Sequence, residues 1–152
     1  MGRAIGGALV GYIVMACVTF AALTLAWVLL GADRAFMPGV FDVSLTWIMV
    51  TIIVGIVAAL AGGRVARMIA KDTAGPRLLA ALILIIGVAS ALHIINADPV
   101  SPAREGALPM FEAISQTRMR LWAMLLNTIV GAASALVGGR AMASASAPRG
   151  PI

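Results

Sequence analysis

Ile53-Val-Gly-Ile-Val-Ala-Ala-Leu-Ala-Gly-Gly-Arg64 has a close copy further along the chain, Ile129-Val-Gly-Ala-Ala-Ser-Ala-Leu-Val-Gly-Gly-Arg140. Eight of the twelve positions are identical, in the pattern Ile-Val-Gly-x-x-x-Ala-Leu-x-Gly-Gly-Arg. Apolar composition alone does not produce such a match, so the chain reads as a duplicated unit. Each copy closes an uncharged run. Four such runs, Ala4–Ala32, Val43–Gly63, Leu78–Ala97 and Leu121–Gly139, each reach the roughly 20 residues that a helix needs to cross a bilayer.

The wider composition agrees. Of 152 residues, 62% are hydrophobic and 11% charged, and the mean hydropathy is +1.05. A soluble domain carries about a quarter charged residues. The expected fold is therefore all-α: a polytopic membrane protein whose four-helix bundle is built from two parallel two-helix repeats. Its helices are placed at about 4–31, 44–70, 77–97 and 118–141, within a transmembrane domain of residues 1–142. Residues 143–152, rich in Ser, Ala and Pro, read as a disordered tail. The first run is longer than the apolar region of a signal peptide and no small-x-small site follows it, so it reads as a retained helix.

Arg3, Arg64, Arg67, Lys71, Arg77, Arg140 and Arg149 fall on one side of these spans, and Arg34, Arg104, Arg118 and Arg120 on the other. Because Lys and Arg resist translocation, both termini are expected in the cytoplasm. The net charge of +5 then describes a basic face on an anionic leaflet and not a nucleic-acid surface. Trp27, Trp47 and Trp122 fall at the opposite interface, where Phe36 and Phe41 are expected to anchor the first connection among the headgroups.

Small residues recur at helical spacing. Gly7 and Gly11 mark the first helix, Gly87 the third, and the stripes Thr51-Gly55-Ala58-Gly62 and Asn127-Gly131-Ser134-Gly138 the second and fourth. Such faces allow close backbone approach in lipid, where no hydrophobic force drives helices together. Thr51, Ser90, Asn96, Asn127 and Ser134 are candidates for interhelical hydrogen bonds or a polar path. His93, the sole histidine, is the one candidate for cofactor or pigment ligation. It is read first as an interface residue beside Ser90 and Asn96. Arg64, Arg67, Lys71 and Arg140 are candidates for a lipid headgroup or a partner's acidic group. Every acid lies near a span end or in a connection, and no Ser-His-Asp, paired-Cys or His-Glu pattern is present. Neither an enzyme nor a metal site is expected, and no cofactor is called for.

Gly-Tyr-Ile-Val-Met at 11–15, Gly-Ala-Asp-Arg-Ala-Phe-Met-Pro-Gly at 31–39, Ser44-x-x-Trp47 and the two Gly-Gly-Arg ends together resemble small bacterial four-helix integral membrane proteins. That group has no established activity, so the resemblance implies a fold and a bacterial inner membrane only. Three functions are consistent with these residues. The first is a structural, assembly or accessory subunit acting through small-residue faces, as a homo-oligomer or within a larger membrane complex. The second is a small oligomeric channel or transporter for a small solute or ion, with a path past Asn127, Thr51, Ser90 and His93. The third is a cofactor- or pigment-binding subunit using His93.

Overall fold

The computed structural model describes residues 1–96, 117 and 119–145. Four helices in it are long and apolar enough to cross a membrane: α1 (Gly2–Leu30), α3 (Leu45–Ala70), α4 (Ala74–Ile95) and α5 (Leu121–Ala145). A one-turn helix, α2 (Ala32–Ala35), sits between the first two. At about 1.5 Å per residue the long helices all match a hydrocarbon core of about 30 Å. α1 packs along α3, α3 along α5, α5 along α4 and α4 against α1, which closes a ring. α3 and α4 also touch across one diagonal, whereas α1 and α5 stay apart across the other.

Glycines set the crossing points. A Cβ placed on Gly11 would stand 2.6 Å from the Gly62 carbonyl oxygen, and one on Gly62 would stand 2.6 Å from that of Gly11. Gly7 meets the Ala66 carbonyl at the same 2.6 Å. One residue further round α3, Gly63 faces the backbone of Ala135, so adjacent glycines serve α1 on one side and α5 on the other. This corrects the expectation of one stripe: Gly62 serves α1, while Gly55 lies against Asn127 of α5. The two Gly-Gly-Arg segments lie side by side on parallel helices, and their glycines face different neighbours. Gly62 faces α1 and Gly63 faces α5; in the second copy Gly138 faces Leu60 of α3, and Gly139 faces Pro76 of α4. Gly87 meets Thr128, and Gly131, in looser contact, stands 3.7 Å from Ile83.

Helix ends follow local chemistry. Ser44 caps α3, its Oγ accepting the Trp47 N–H at 3.1 Å and donating to the Arg34 carbonyl. α3 stops at Lys71, which takes left-handed backbone (φ 63°) and donates its N–H to the Arg67 carbonyl at 2.8 Å. Gly75 and Pro76, which fall between the expected helices at 44–70 and 77–97, lie inside the first turn of α4. There Pro76 loses no intrahelical donor, and α4 begins three residues before Arg77. Asp72 supports the turn by accepting the Ala74 N–H at 2.8 Å. α5 begins at Leu121 rather than near Arg118 and runs through Ala145. The helical start expected at Met110–Gln116, the charged loop residues Asp98, Arg104, Glu105, Glu112 and Arg118, and residues 146–152 lie outside the described residues.

The connection between α1 and α3 folds into a compact cap. Gly31, at φ 70°, lets the chain turn from α1 into α2. Phe36 and Val43 then pair across a short hairpin, with the Met37 N–H on the Asp42 carbonyl at 2.8 Å and the Ser44 N–H on that of Ala35 at 2.9 Å. Phe36 and Phe41 are 3% and 2% exposed, so they fill the protein instead of the headgroup layer. Trp47 is buried too, and of the three tryptophans only Trp122 stands exposed.

Replacing Gly11 by Ala forces a Cβ into the α3 backbone, and is expected to cost about 1–3 kcal/mol. Gly6→Ala, whose new Cβ meets nothing within 4 Å, is expected to change stability by less than about 0.5 kcal/mol. Denaturant unfolding in detergent, followed by tryptophan fluorescence, measures both; equal losses would remove the close-approach account.

Candidate functional site

Along α1, Gly7 and Gly11 lie against α3 toward the end that carries Arg64, Arg67, Arg77 and Arg140, the basic end. Met15, Thr19 and Leu23, each four residues further on, line a space between the helices. One part, of about 670 Å³, is lined by Tyr12, Met15, Thr19, Leu23, Trp27, Phe36, Trp47, Thr51 and their neighbours. A second, of about 330 Å³, shares Tyr12, Met15, Thr19, Leu23, Thr51 and Met119 with it, and extends to Gly55, Gly87, Asn127, Thr128 and Gly131. The two adjoin along these shared residues.

The far end is closed by aromatic rings. Trp27 meets Phe36 edge-on at a centroid separation of 6.0 Å and Trp47 at 5.9 Å, and Phe36 meets Phe41 at 5.6 Å. Such pairs add about 0.5–1.5 kcal/mol each beyond their burial. Ala16 and Phe20 line the space but are also exposed, and Ile94 is the α4 residue that lines it near them. The interior therefore has a side opening between the outer halves of α1 and α4.

Its polar groups are few and uncharged. The Thr51 hydroxyl donates to the Ile48 carbonyl at 2.8 Å and that of Thr128 to Met124 at 2.9 Å, so both offer lone pairs inward but no free proton. Two polar residues of α5 each occupy a glycine socket: a Cβ on Gly55 would come 2.8 Å from Asn127 Oδ1, and one on Gly87 would collide with the Thr128 side chain. Tyr12 and Thr19 add two hydroxyls from α1. No carboxylate or basic side chain stands among the described lining residues of either part.

Of the expected polar path, Thr51 and Asn127 do meet in one space. Ser134 is buried elsewhere on α5; Ser90 is half-buried on α4, and neither lines the interior. His93 is exposed on α4, as is Asn96, whose amide donates to the Leu92 carbonyl at 2.9 Å. No group of three His, Cys, Asp or Glu residues that would hold a metal occurs among the described residues. At the basic end Arg64 and Lys71 are exposed, whereas Arg67 and Arg140 come together beside Arg77 around a small cavity of about 40 Å³. Reading the sequence did not single out Tyr12, Thr19 or Arg77 for a site. Tyr12 follows Gly11 directly and Thr19 stands eight residues beyond it, and only the packing of α1 brings both to the same space.

These features define a four-helix, multi-pass membrane protein with a neutral, mainly apolar interior. No known protein family, curated protein or solved structure matches the chain.

The aromatic lid is expected to carry much of the stability of this end. Trp27→Ala should cost about 3–5 kcal/mol, and Trp122→Ala, at a side chain 50% exposed, less than about 1 kcal/mol. Thermal unfolding in detergent compares the two; equal effects would show that the ring cluster does not brace the site.

Proposed function

We propose that the chain is a non-enzymatic protein of the bacterial inner membrane, both termini cytoplasmic, that holds and passes a small neutral amphipathic solute through the interior of its bundle. The observation that carries this reading is the pair of adjoining cavities between α1, α3, α4 and α5, with Thr51 in the walls of both and Asn127 in those of the second. Its size falls within the range of small-molecule sites, about 300–1,000 Å³, and its few hydrogen-bonding groups among apolar walls match a solute with one or two polar atoms. An ion is a poorer fit, since a charge in an apolar interior needs paired or coordinating groups. The cationic Arg64, Arg67, Arg77 and Arg140 at one end support the orientation. The side opening fits a solute that enters from the lipid phase.

The accessory-subunit reading has less support. Gly7, Gly11, Gly62 and Gly138 are spent on contacts within the chain, and the outward faces carry large side chains such as Ile13, Leu25, Ile53 and Ile85. Oligomerisation, if it accompanies transport, would use those larger residues. The paired copies on α3 and α5 support descent from a parallel two-helix repeat.

Trp27 and Trp47 stand in the walls, so an occupant should quench them. Titrating 2-naphthol into detergent-purified protein is expected to give saturable quenching. Asn127→Leu, which loses a hydrogen bond, should weaken it several-fold, and Thr19→Phe should block it by filling the space. Proteoliposomes should release the same solute faster than empty liposomes while potassium leaks no faster. Absent saturation, or quenching indifferent to Thr19→Phe, would sink the proposal.

A further inference from the structure

At the basic end three arginines from three helices surround one cavity. Arg67 of α3, Arg77 of α4 and Arg140 of α5 line it together with Thr73, Pro76, Leu136 and Gly139. No carboxylate is among these residues. Asp72 instead lines the neighbouring cavity that also reaches Arg77, and its Oδ1 is engaged by the Ala74 N–H. Arg67 Nη1 is buried and has no hydrogen-bond partner. A buried guanidinium nitrogen without an acceptor is costly, and clustered like charges add to that cost. An anion relieves both.

We infer that the Arg67–Arg77–Arg140 cavity is a binding site for a phosphate group. Thr73 and Pro76 place the start of α4, a 22-residue helix, at the cavity, so its positive dipole end adds to the arginines, although the Ala74 N–H is already taken by Asp72. Guanidinium forks match the paired oxygens of a phosphate. At about 40 Å³ the cavity takes one or two water-sized groups, so it admits phosphoryl oxygens and leaves the rest of the ligand outside. The arginines of the two Gly-Gly-Arg segments are not equivalent here: both are exposed, but Arg140 lines the cavity and Arg64 does not. The site lies at the opposite end of the bundle from the aromatic lid and does not depend on the solute reading. A phospholipid headgroup and a free phosphate present the same chemistry to it.

The test uses the full chain in mild detergent, with inorganic phosphate followed by thermal unfolding, and phosphatidylglycerol or diacylglycerol followed by native mass spectrometry. Phosphate or phosphatidylglycerol is expected to bind saturably and diacylglycerol not to bind. Arg67→Gln and Arg140→Gln should each weaken binding roughly tenfold or more, and Arg64→Gln less than about twofold. Arg77→Gln removes an exposed side chain with no burden on the fold, is expected to weaken binding several-fold, and decides the matter if Arg67→Gln does not fold. Phosphatidylglycerol retained in the presence of excess inorganic phosphate identifies the headgroup as the source; saturation by inorganic phosphate without lipid retention identifies a soluble phosphate. The site is overturned if neither phosphate probe binds, if diacylglycerol binds equally, or if Arg64→Gln matches the loss in Arg67→Gln or Arg77→Gln.

Discussion

The reciprocal contact of Gly11 and Gly62, each close to the other's carbonyl oxygen, is what the remaining packing depends on. Lipid tails are as apolar as Leu or Ile, so burying such side chains between helices gains little over leaving them in the bilayer. Helices adhere there by dispersion, which requires backbones to come near. α3 satisfies two neighbours at once because Gly62 and Gly63 are adjacent and point about 100° apart. One glycine admits α1 and the next admits α5, which makes α3 the axis of the bundle. α4 is drawn onto that axis too, since Gly75 sits against the Ala66 carbonyl, at 2.6 Å from a notional Cβ.

α1 meets α3 through Gly7 and Gly11 toward the basic end and through larger residues such as Leu23 and Trp27 toward the other. α1 and α5 make few contacts across the ring, and the space between them has Tyr12, Met15 and Thr19 on one wall and Asn127, Thr128 and Gly131 on the other. The aromatic cap joins α1 to α3 at the far end. With it, the polar groups of Tyr12, Thr51 and Asn127 are held in a shaped interior.

The four spans were legible because length and hydropathy are properties of each segment alone. Partner assignment was not. Spacing places Gly55 and Gly62 on one stripe, yet the first lies against Asn127 and the second against Gly11; a helix with neighbours on two sides hides two faces inside one broad run of small residues. Phe36 and Phe41 have the composition of interfacial anchors, and only the hairpin that folds them inward makes them core. Thr51 and Asn127 were found as rare polar residues at depth. Tyr12 and Thr19 join them through the packing of α1, which no local pattern encodes.

The two Gly-Gly-Arg segments share a composition but not their surroundings. Each supplies a glycine pair followed by an arginine, so both α3 and α5 can approach a neighbour closely and carry a cation toward the basic end. Yet Gly139 faces Pro76, and Arg140 lines the cavity with Arg67 and Arg77 while Arg64 does not. Two like motifs thus differ in what their arginines stand beside, although both arginines are exposed. On α5, Asn127 and Thr128 lie over Gly55 and Gly87 on two different helices. Those sockets place hydrogen-bonding groups at the wall of the interior without wedging the helices apart, which is how a chain of such apolar composition keeps polar chemistry inside a tightly packed bundle.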